Sequence, residues 1–488
     1  MRIPSILPIF SILLLTTNVV SQDVFHVDPN IGHDNRLASG DATEPFKTIT
    51  YAVARSAPGN ALEVLCHDGS FRRETWPIQV GLGNITIRAI NPGAVLIEPG
   101  ATAGSAMSNF DLSPASGDLT LHGLTVTGAQ KFVRVIGGGS SGHHVNVKME
   151  QVTVAAGTLI HVKLSGNARL NFDLRLSDVR AADSALTIIA EDQAHIKVNV
   201  QRSRLHGGSD HGIHAEAIGT DAQLVLNVEN TVISNFGQHG IQVIGGGGPC
   251  DLTMNSCNLV GNGVSIPGKA AVSLVTPDPI SQYPHANLFR NIFHANGGDI
   301  QDFALMPGNF SFETNLLQDT AADGIGGNIV GDPDFVGTTM IMGANSLAVG
   351  TAPLGGLGHD FNGNLRALDG RGDIGAFEHV PYNFGVDGQA FLGRTLRLAM
   401  SGPPGHTFAL LAGWERSFGT TLGIVPMAGG NPGVIGQLDL NGKWTTDFRL
   451  PAKSWLAGNT VYFQAVGRLE NGNNSLSQVV EITPTFSP

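Results

Sequence analysis

The chain has 488 residues, of which 42% are hydrophobic and 14% charged, and its formal net charge at pH 7 is -12. This length predicts more than one domain. The acidic balance, without a basic stripe, excludes the usual nucleic-acid-binding proteins and disfavours binding to anionic membranes.

Residues 1–21 have the pattern of a secretory signal peptide. Arg2 precedes an apolar run, and Val19 and Ser21 provide the small-residue pattern of a cleavage site. A membrane anchor is the alternative, but Pro4 and Pro8 interrupt the roughly 20 apolar residues that a spanning helix needs. We therefore predict cleavage near Ser21 and a secreted, extracellular or cell-surface protein without a membrane span.

Residues 22–116 are predicted to form an N-terminal cap and the first coils of a solenoid. Turn-forming residues lead into residues 48–56, which have helical spacing and are closed by Pro58 and Gly59. A short helix at this place would cover the unpaired strand edge at the open end of a stack of strands. The strand patterns ALEVLCH, WPIQV, NITIRAI and AVLIEPG follow it.

Residues 117–330 contain a repeat of about 26 residues, which is regular over residues 145–250. Its units read VNVKMEQVTVAAGTLIHVKLSG, LNFDLRLSDVRAADSALTIIAED, IKVNVQRSRLHGGSDHGIHAEAIG and LVLNVENTVISNFGQHGIQVIGG. Each holds two alternating apolar and polar runs, so a single unit cannot bury its apolar face. Stacked units can, because strands about 4.8 Å apart pair as parallel sheets. The sequence therefore predicts an all-β protein built on a parallel β-helix.

The C-terminal part has a different pattern. Residues 331–380 are predicted to close the β-helix. Residues 384–488 alternate with period two between Gly, Pro and Asn turns, which predicts an antiparallel β-sandwich as a separate domain. Trp414, Trp444 and Trp455 lie in it. Packing in the sandwich is the favoured interpretation of these tryptophans, and a stacking surface for sugar rings is the alternative.

Two stretches resemble known extracellular families. FHVDPN, PFKTITYAVARSAPG, ETWPIQV and NITIRA resemble the N-terminal module of secreted proteins of the pectate-lyase-like right-handed β-helix superfamily. GDPDF at residues 331–335, followed by Asp360, Gly363, Arg366 and DIGAFE at residues 373–378, resembles the closing segment of the choice-of-anchor Q family of extracellular β-helix proteins. NSLAVGTAP stands where that family has an SPAIDAG-like block. The resemblance implies a right-handed coil and no particular chemistry.

Alignment of the coils places candidate functional residues on one outer face. GTLIHVKL, DSALTIIA, DHGIHAEA, QHGIQVIG and KAAVSLV align so that alternate residues point inward and those between them face solvent. The predicted inward residues are Ile160, Leu186, Ile213, Ile241 and Val272. One outward column is His161, Thr187, His214, Gln242 and Ser273. The next outward column is Lys163, Ile189, Glu216, Ile244 and Val275.

One coil and its neighbour concentrate the titratable groups of this face. The predicted catalytic candidates are His214, Glu216, His211 and Asp210. The predicted carbohydrate-binding candidates are His161, His239, Gln242 and Lys163. The structural alternative for His211 and His239 is a corner in which the following glycine permits the bend and the isoleucine fills the core.

Two reactions are compatible with these residues. A polysaccharide lyase needs a base, which His211 or His214 would supply, and a cationic group or Ca²⁺ to neutralise a uronate; no such cluster is evident in the sequence. A glycoside hydrolase needs two carboxylates, which Asp210 and Glu216 would supply. The calcium and arginine motifs of pectate lyases and polygalacturonases are absent.

The sequence therefore predicts a monomer that binds an extracellular polysaccharide through its exposed coils, and it leaves open whether that polysaccharide is cleaved. The alternative is a noncatalytic cell-surface or envelope protein, either structural or adhesive, in which the solenoid is a rigid spacer.

No cofactor is expected, with Ca²⁺ as the alternative. Asp360, Asn362 and Asn364 imitate part of a calcium loop, but the bidentate Glu is missing, which favours a turn held by Asx hydrogen bonds. The odd cysteine count allows at most one disulfide within the chain and provides no CxxC metal motif. The cysteines are Cys66, Cys250 and Cys257.

Overall fold

The computed structural model describes most of the chain between residues 22 and 485. The described ranges are 22–56, 60–80, 83–98, 108–112, 117–128, 131–138, 143–155, 157–276, 284–301, 310–320, 323–336, 340–343, 345–353, 360–362, 372–378, 383–387, 390–401, 406–416, 424–426, 434–439, 443–468, 474–477 and 480–485. The predicted signal peptide lies outside the described residues. Within these ranges, no helix combines the length and apolar character required to cross a bilayer.

Three parallel sheets form the predicted β-helix, and we name them A, B and C in the order in which a coil enters them. Sheet A contains Gln22–Val27, Ala61–Cys66, Gly83–Ala89, Gly117–His122, His144–Glu150, Arg169–Arg175, His195–Gln201, Gln223–Glu229, Cys250–Asn255, His285–Phe289 and Phe310–Glu313. Sheet B contains Gly69–Phe71, Val95–Ile97, Leu124–Val126, Thr153–Val154, Asp178–Arg180, Arg204–His206, Val232–Ser234, Asn258–Val260, Ile292–His294, Leu316–Leu317 and Ile329–Val330. Sheet C contains Ile78–Val80, Ser108–Leu112, Lys131–Gly137, Thr158–Leu164, Leu186–Glu191, Ile213–Ile218, Ile241–Gly246, Val272–Val275 and Ile300–Gln301.

Inward side chains stack in register to make one continuous core. In sheet C, Ile160 pairs with Leu186, which pairs with Ile213, and the column continues through Ile241 to Val272. All five side chains are fully buried, as the repeat predicts. Each such aliphatic side chain contributes about 1.5–3 kcal/mol relative to an exposed one. The core thus extends along the solenoid axis and leaves alternate residues on the outer faces.

In seven successive coils the corner between sheets A and B has two residues, and the first of them has a left-handed backbone. These first residues are Gln151, Leu176, Arg202, Asn230, Ser256, Arg290 and Thr314, with φ between 47° and 56°. Left-handed backbone costs roughly 1–2 kcal/mol per residue, so the corner needs compensation. Buried side-chain oxygens supply it.

In five of these coils the second corner residue supplies such an oxygen, which accepts the backbone N–H of the preceding coil. Val152 and Cys257 occupy this position in the other two coils. Ser203 Oγ accepts from Ser177 N at 3.3 Å. In later coils asparagine takes over, and Asn315 Oδ1 accepts both the backbone and the side-chain amide of Asn291, at 2.8 and 3.0 Å. The corner is therefore held by a polar ladder inside the fold.

The predicted helix begins one residue later and ends one residue earlier than its sequence window, at Ile49–Arg55. The hydroxyl of Thr48 accepts the N–H of Tyr51, as an N-cap does. The Glu74 carboxylate accepts the N–H groups of Ile49 and Thr50, both at 2.8 Å. The helix packs against the first strands of sheet A.

Described parts of residues 331–378 pack on the outer face of sheet B. Asn258 Nδ2 donates to Met340 O at 3.0 Å, and Asn258 Oδ1 accepts from Ala376 N at 2.8 Å. Val232 and Ile292 point outward from sheet B yet are fully buried, because this segment covers them. The short 3₁₀ helix Ile325–Gly327 precedes the segment.

The C-terminal region folds into two antiparallel sheets. One contains Asn383–Asp387, Thr395–Ser401 and Lys443–Arg449. The other contains Thr407–Arg416, Ile424–Pro426, Val434–Gln437, Val461–Arg468, Asn474–Leu476 and Val480–Ile482. Both sheets contribute to one hydrophobic core, as in the predicted sandwich. Trp444 packs edge-on against Phe408, whereas Trp455 in the 3₁₀ helix Ser454–Leu456 is 58% exposed. The side chain of Trp414 lies outside the described part.

All three cysteines are buried as thiols. Burial raises the pKa of the Cys66 thiol far above its ordinary value and that of Cys250 to about 12. Because the thiolate is the reactive form, these two side chains are unreactive members of the core.

Candidate functional site

A column of outward side chains runs along sheet C. The observed register extends the predicted column in both directions. Its members are Asp111, Arg134, His161, Thr187, His214, Gln242, Ser273 and Gln301. All are partly exposed except Ser273, which is buried and donates to Gln301 Oε1 at 2.7 Å. The column presents hydrogen-bonding groups at intervals of about 4.8 Å.

His214 occupies the middle of the column. Its Nδ1 lies 3.0 Å from Gln242 Oε1. Because the amide oxygen can only accept, Nδ1 carries the proton in the neutral ring. Nε2 then lies 3.9 Å from Glu216 Oε2, and the two side chains are 21% and 25% exposed. The arrangement orients an imidazole with a lone pair at the surface beside a carboxylate.

His211 is held from both sides at the neighbouring corner. Its Nδ1 accepts the N–H of His239 at 3.3 Å, and its Nε2 lies 3.3 Å from Asp210 Oδ1. Asp210 in turn accepts hydrogen bonds from Gln238 and Ser184, at 2.7 and 2.9 Å. Burial lowers the pKa of His211 to about 4, against the opposing effect of Asp210. The ring is therefore neutral at pH 7, with its proton on Nε2.

His239 stacks on His211 with ring centroids 5.5 Å apart and planes 2° apart. Its Nδ1 accepts the N–H of Ala270 at 3.0 Å, and only 1% of the residue is exposed. Burial and then Lys269 lower its pKa to about 4. So little surface leaves no room for the predicted sugar contact, and the ring instead supports His211.

The structure brings the four catalytic candidates together as two acid–imidazole pairs. Asp210 contacts His211, and Glu216 lies beside His214. The two rings stack with centroids 5.4 Å apart. The outer pair is partly exposed and free to meet a ligand, whereas the ring of the inner pair is buried.

The other two carbohydrate-binding candidates, His161 and Lys163, lie near two cations that the sequence interpretation missed. These cations are Lys131 and Arg134. Burial, and then Lys131, Arg134 and Lys163, lower the pKa of His161 to about 4. Lys163 pairs with Glu191 at 2.9 Å. The missed residues belong to the strand KFVRVIG, which alternates like its neighbours but has no HGI-like corner to align it.

In the part of the chain that the structure describes, no three His, Cys, Asp or Glu side chains are placed to hold a metal ion. Asp360 Oδ2 accepts the N–H of Glu378 at 2.9 Å, and Asp373 Oδ1 accepts that of Gly350 at 2.6 Å. These carboxylates organise the backbone of the segment on sheet B. Asn364 of the calcium-like run lies outside the described residues.

No protein-family model and no curated protein match the chain. Among solved structures, the catalytic domain of a GH87 alpha-1,3-glucanase in complex with tetrasaccharides is 11% identical, with a TM-score of 0.26. The match covers 52% of this chain and 64% of the glucanase domain. The enzymatically active domain of bacteriophage CBA120 tailspike protein 2 is 11% identical over 94% of this chain and 76% of that one, with a TM-score of 0.31.

The ORF18 protein of Geobacillus virus E2 is 12% identical over the same shares, with a TM-score of 0.30. Matches this weak say nothing about the chemistry of the chain. The architecture itself is a parallel β-helix followed by antiparallel sheets. No family model supports the specific resemblances to the pectate-lyase-like module and to the choice-of-anchor Q segment.

Proposed function

We propose that this is a secreted protein of the pectate-lyase-like superfamily, with a choice-of-anchor Q-like closing segment, and that it binds an extracellular polysaccharide through the outer face of sheet C. The observation that carries the proposal is the column from Asp111 to Gln301. It offers donors and acceptors in successive coils, at a spacing close to the length of one sugar residue. A glycan that lies parallel to the solenoid axis would contact about one side chain of the column per sugar residue.

His214 in this column and Glu216 in the next outward column are the groups best placed for close contact with a ligand. Gln242 fixes the ring of His214 and leaves Nε2 to accept a hydrogen bond or a proton. If cleavage occurs, His214 is the candidate base and Glu216 its acidic neighbour.

The positions of Arg134 and Lys163 give no support to a lyase. A lyase needs the cation next to the proton that is removed, because both belong to one uronate. Arg134 lies three coils from His214 and Lys163 lies two coils away, which is roughly 10–15 Å. Lys269 lies within electrostatic reach of His211 and His239, so it is the cation that a lyase would have to use.

A glycan array tests the proposal, run beside assays for new reducing ends and unsaturated products. The test variant is His214→Ala/Glu216→Ala. Its matched control is His33→Ala/Glu44→Ala, which removes an exposed histidine and an exposed acid from the N-terminal cap. We expect the first pair to weaken binding by about tenfold or more, which corresponds to about 1.4 kcal/mol, and the second to leave it unchanged. Equal binding by all three proteins would refute the proposal.

A noncatalytic structural or adhesive protein is the second candidate, and one observation favours it. Both nitrogens of His211 and both carboxylate oxygens of Asp210 have partners within the corner, although the Asp210 side chain is 41% exposed. Half of the titratable cluster therefore stabilises the coil. Absence of binding and turnover across all glycans would support this candidate.

A further inference from the structure

Sheet A carries a second polar surface, independent of the sheet C column. A depression of about 330 Å³ opens where four successive strands of sheet A begin. Its polar lining consists of His144, Arg169, Asn171, His195, Lys197 and Gln223. The register places His144, Arg169, His195 and Gln223 in one column. Asn171 and Lys197 lie in the next outward column.

The cations of this depression are not neutralised by ion pairs. In the described ranges, neither Arg169 nor Lys197 pairs with a carboxylate, whereas Arg88, Arg134 and Lys163 all do. Two carboxylates of the same face, Asp118 and Asp173, accept amide hydrogen bonds instead. Asn146 donates to the first and Asn199 to the second, both at 2.6 Å.

The polar neighbours are also arranged as donors. Asn171 Nδ2 donates to Asn146 Oδ1 at 2.9 Å and lies 3.2 Å from His144 Nε2. Because Nε2 accepts from this amide, the neutral His144 ring carries its proton on Nδ1 and can donate it to a ligand. Arg169 and Lys197 are diagonal neighbours, about 7–8 Å apart at the backbone, so one oxyanion can reach both.

We propose that this depression binds an oxyanion carried by a glycan, either a sulfate ester or a uronate carboxylate. An arginine fork beside an ammonium group is suited to such oxyanions. Val225, next to Lys197 in the following coil, adds an apolar surface for a sugar ring. The net charge of -12 opposes a densely charged polyanion, which favours a sugar chain with occasional charges.

Equilibrium binding to a dextran of low sulfate content and to a partly methyl-esterified polygalacturonate tests the two oxyanions at the low charge density that the net charge favours, with neutral dextran as the uncharged arm. The test variant is Arg169→Gln/Lys197→Gln. Its control, Arg180→Gln/Lys453→Gln, removes the same charges from exposed sites outside the depression. At low salt we expect at least one charged polymer to bind about tenfold more weakly to the test variant, a loss consistent with two charge-assisted hydrogen bonds. We expect the control to stay within about twofold, since screened surface charges act weakly.

His214→Ala/Glu216→Ala should retain this binding, which separates the inference from the proposed function. Gln223→Glu should weaken it, because the new carboxylate would compete for the same cations. Failure of both charged polymers to bind, or an equal loss in the control, would overturn the inference. So would an oligonucleotide that binds as well as the polymers and loses affinity equally, since any polyanion would then suffice.

Discussion

The outward columns of sheets B and C start alike and diverge. In sheet B, Thr153, Asp178 and Arg204 are followed in the column by Val232, Asn258 and Ile292, all three of which are buried. The change occurs where residues 331–378 cover the sheet. In sheet C the column stays polar over its whole length. The polarity of the outward residues thus depends on what covers each face. On sheet B this is another segment of the protein, and on sheet C it is solvent or a ligand.

Truncation at matched outward positions should have the largest effect. Ile292→Ala in sheet B leaves a cavity under the covering segment and should lower the free energy of unfolding by about 2–5 kcal/mol. Thr187→Ala in sheet C should change it by no more than about 0.5 kcal/mol. Urea denaturation of both variants measures the difference. Similar losses would show that sheet C is also covered.

Acid should weaken the buried corner beside the exposed column. His211 and His239 have pKa values of about 4, below the ordinary value of 6.5. As the pH falls, the unfolded chain therefore takes up these protons before the folded protein does. The contribution of the two neutral rings to the free energy of unfolding is fully present above about pH 6.5 and is lost as the pH falls towards 4. The loss should approach about 3 kcal/mol for each ring once the pH is below 4.

The variant His239→Gln isolates this effect. Its amide can still accept the Ala270 N–H but does not titrate in this range, so its stability should fall less steeply between pH 6.5 and 4. Denaturation series at several pH values provide the measurement. Parallel pH profiles for the two proteins would contradict the assignment.

A smaller effect should follow from releasing the segment that covers sheet B. Asn258→Leu removes the bonds to Met340 O and Ala376 N, and each unpaired buried group costs about 1–3 kcal/mol. Hydrogen exchange in residues 372–378 should become faster. Gln242→Leu in sheet C is the matched control and should leave exchange in this segment unchanged.

The repeat was sufficient to predict the β-helix and the register of sheet C. Strands such as IHAEA alternate strictly, and the following coils keep the same corner, so Ile213 and Ile241 align directly. The pairing of His214 with Glu216 followed from their i, i+2 spacing on one face. The burial of His239 could not be predicted in this way, because a corner residue is not part of the alternating pattern that separates inward from outward side chains in a strand.

Sheet B was harder to interpret. Its strands have two or three residues, too few to distinguish Val232 as outward from Ile233 as inward. The covering of Val232 depends on contacts with Ala376 and Phe377, more than 100 residues later. Such long-range packing leaves no periodic pattern in the sequence.

The most direct test is histidine footprinting with a bound polysaccharide. The protein is carbethoxylated with and without a saturating glycan, and the rate at each histidine is read by mass spectrometry. We predict that the glycan slows modification of His214 in sheet C and leaves the exposed His285 of sheet A unchanged. Unchanged reactivity of His214 while the glycan is bound would contradict the assignment of binding to the sheet C column.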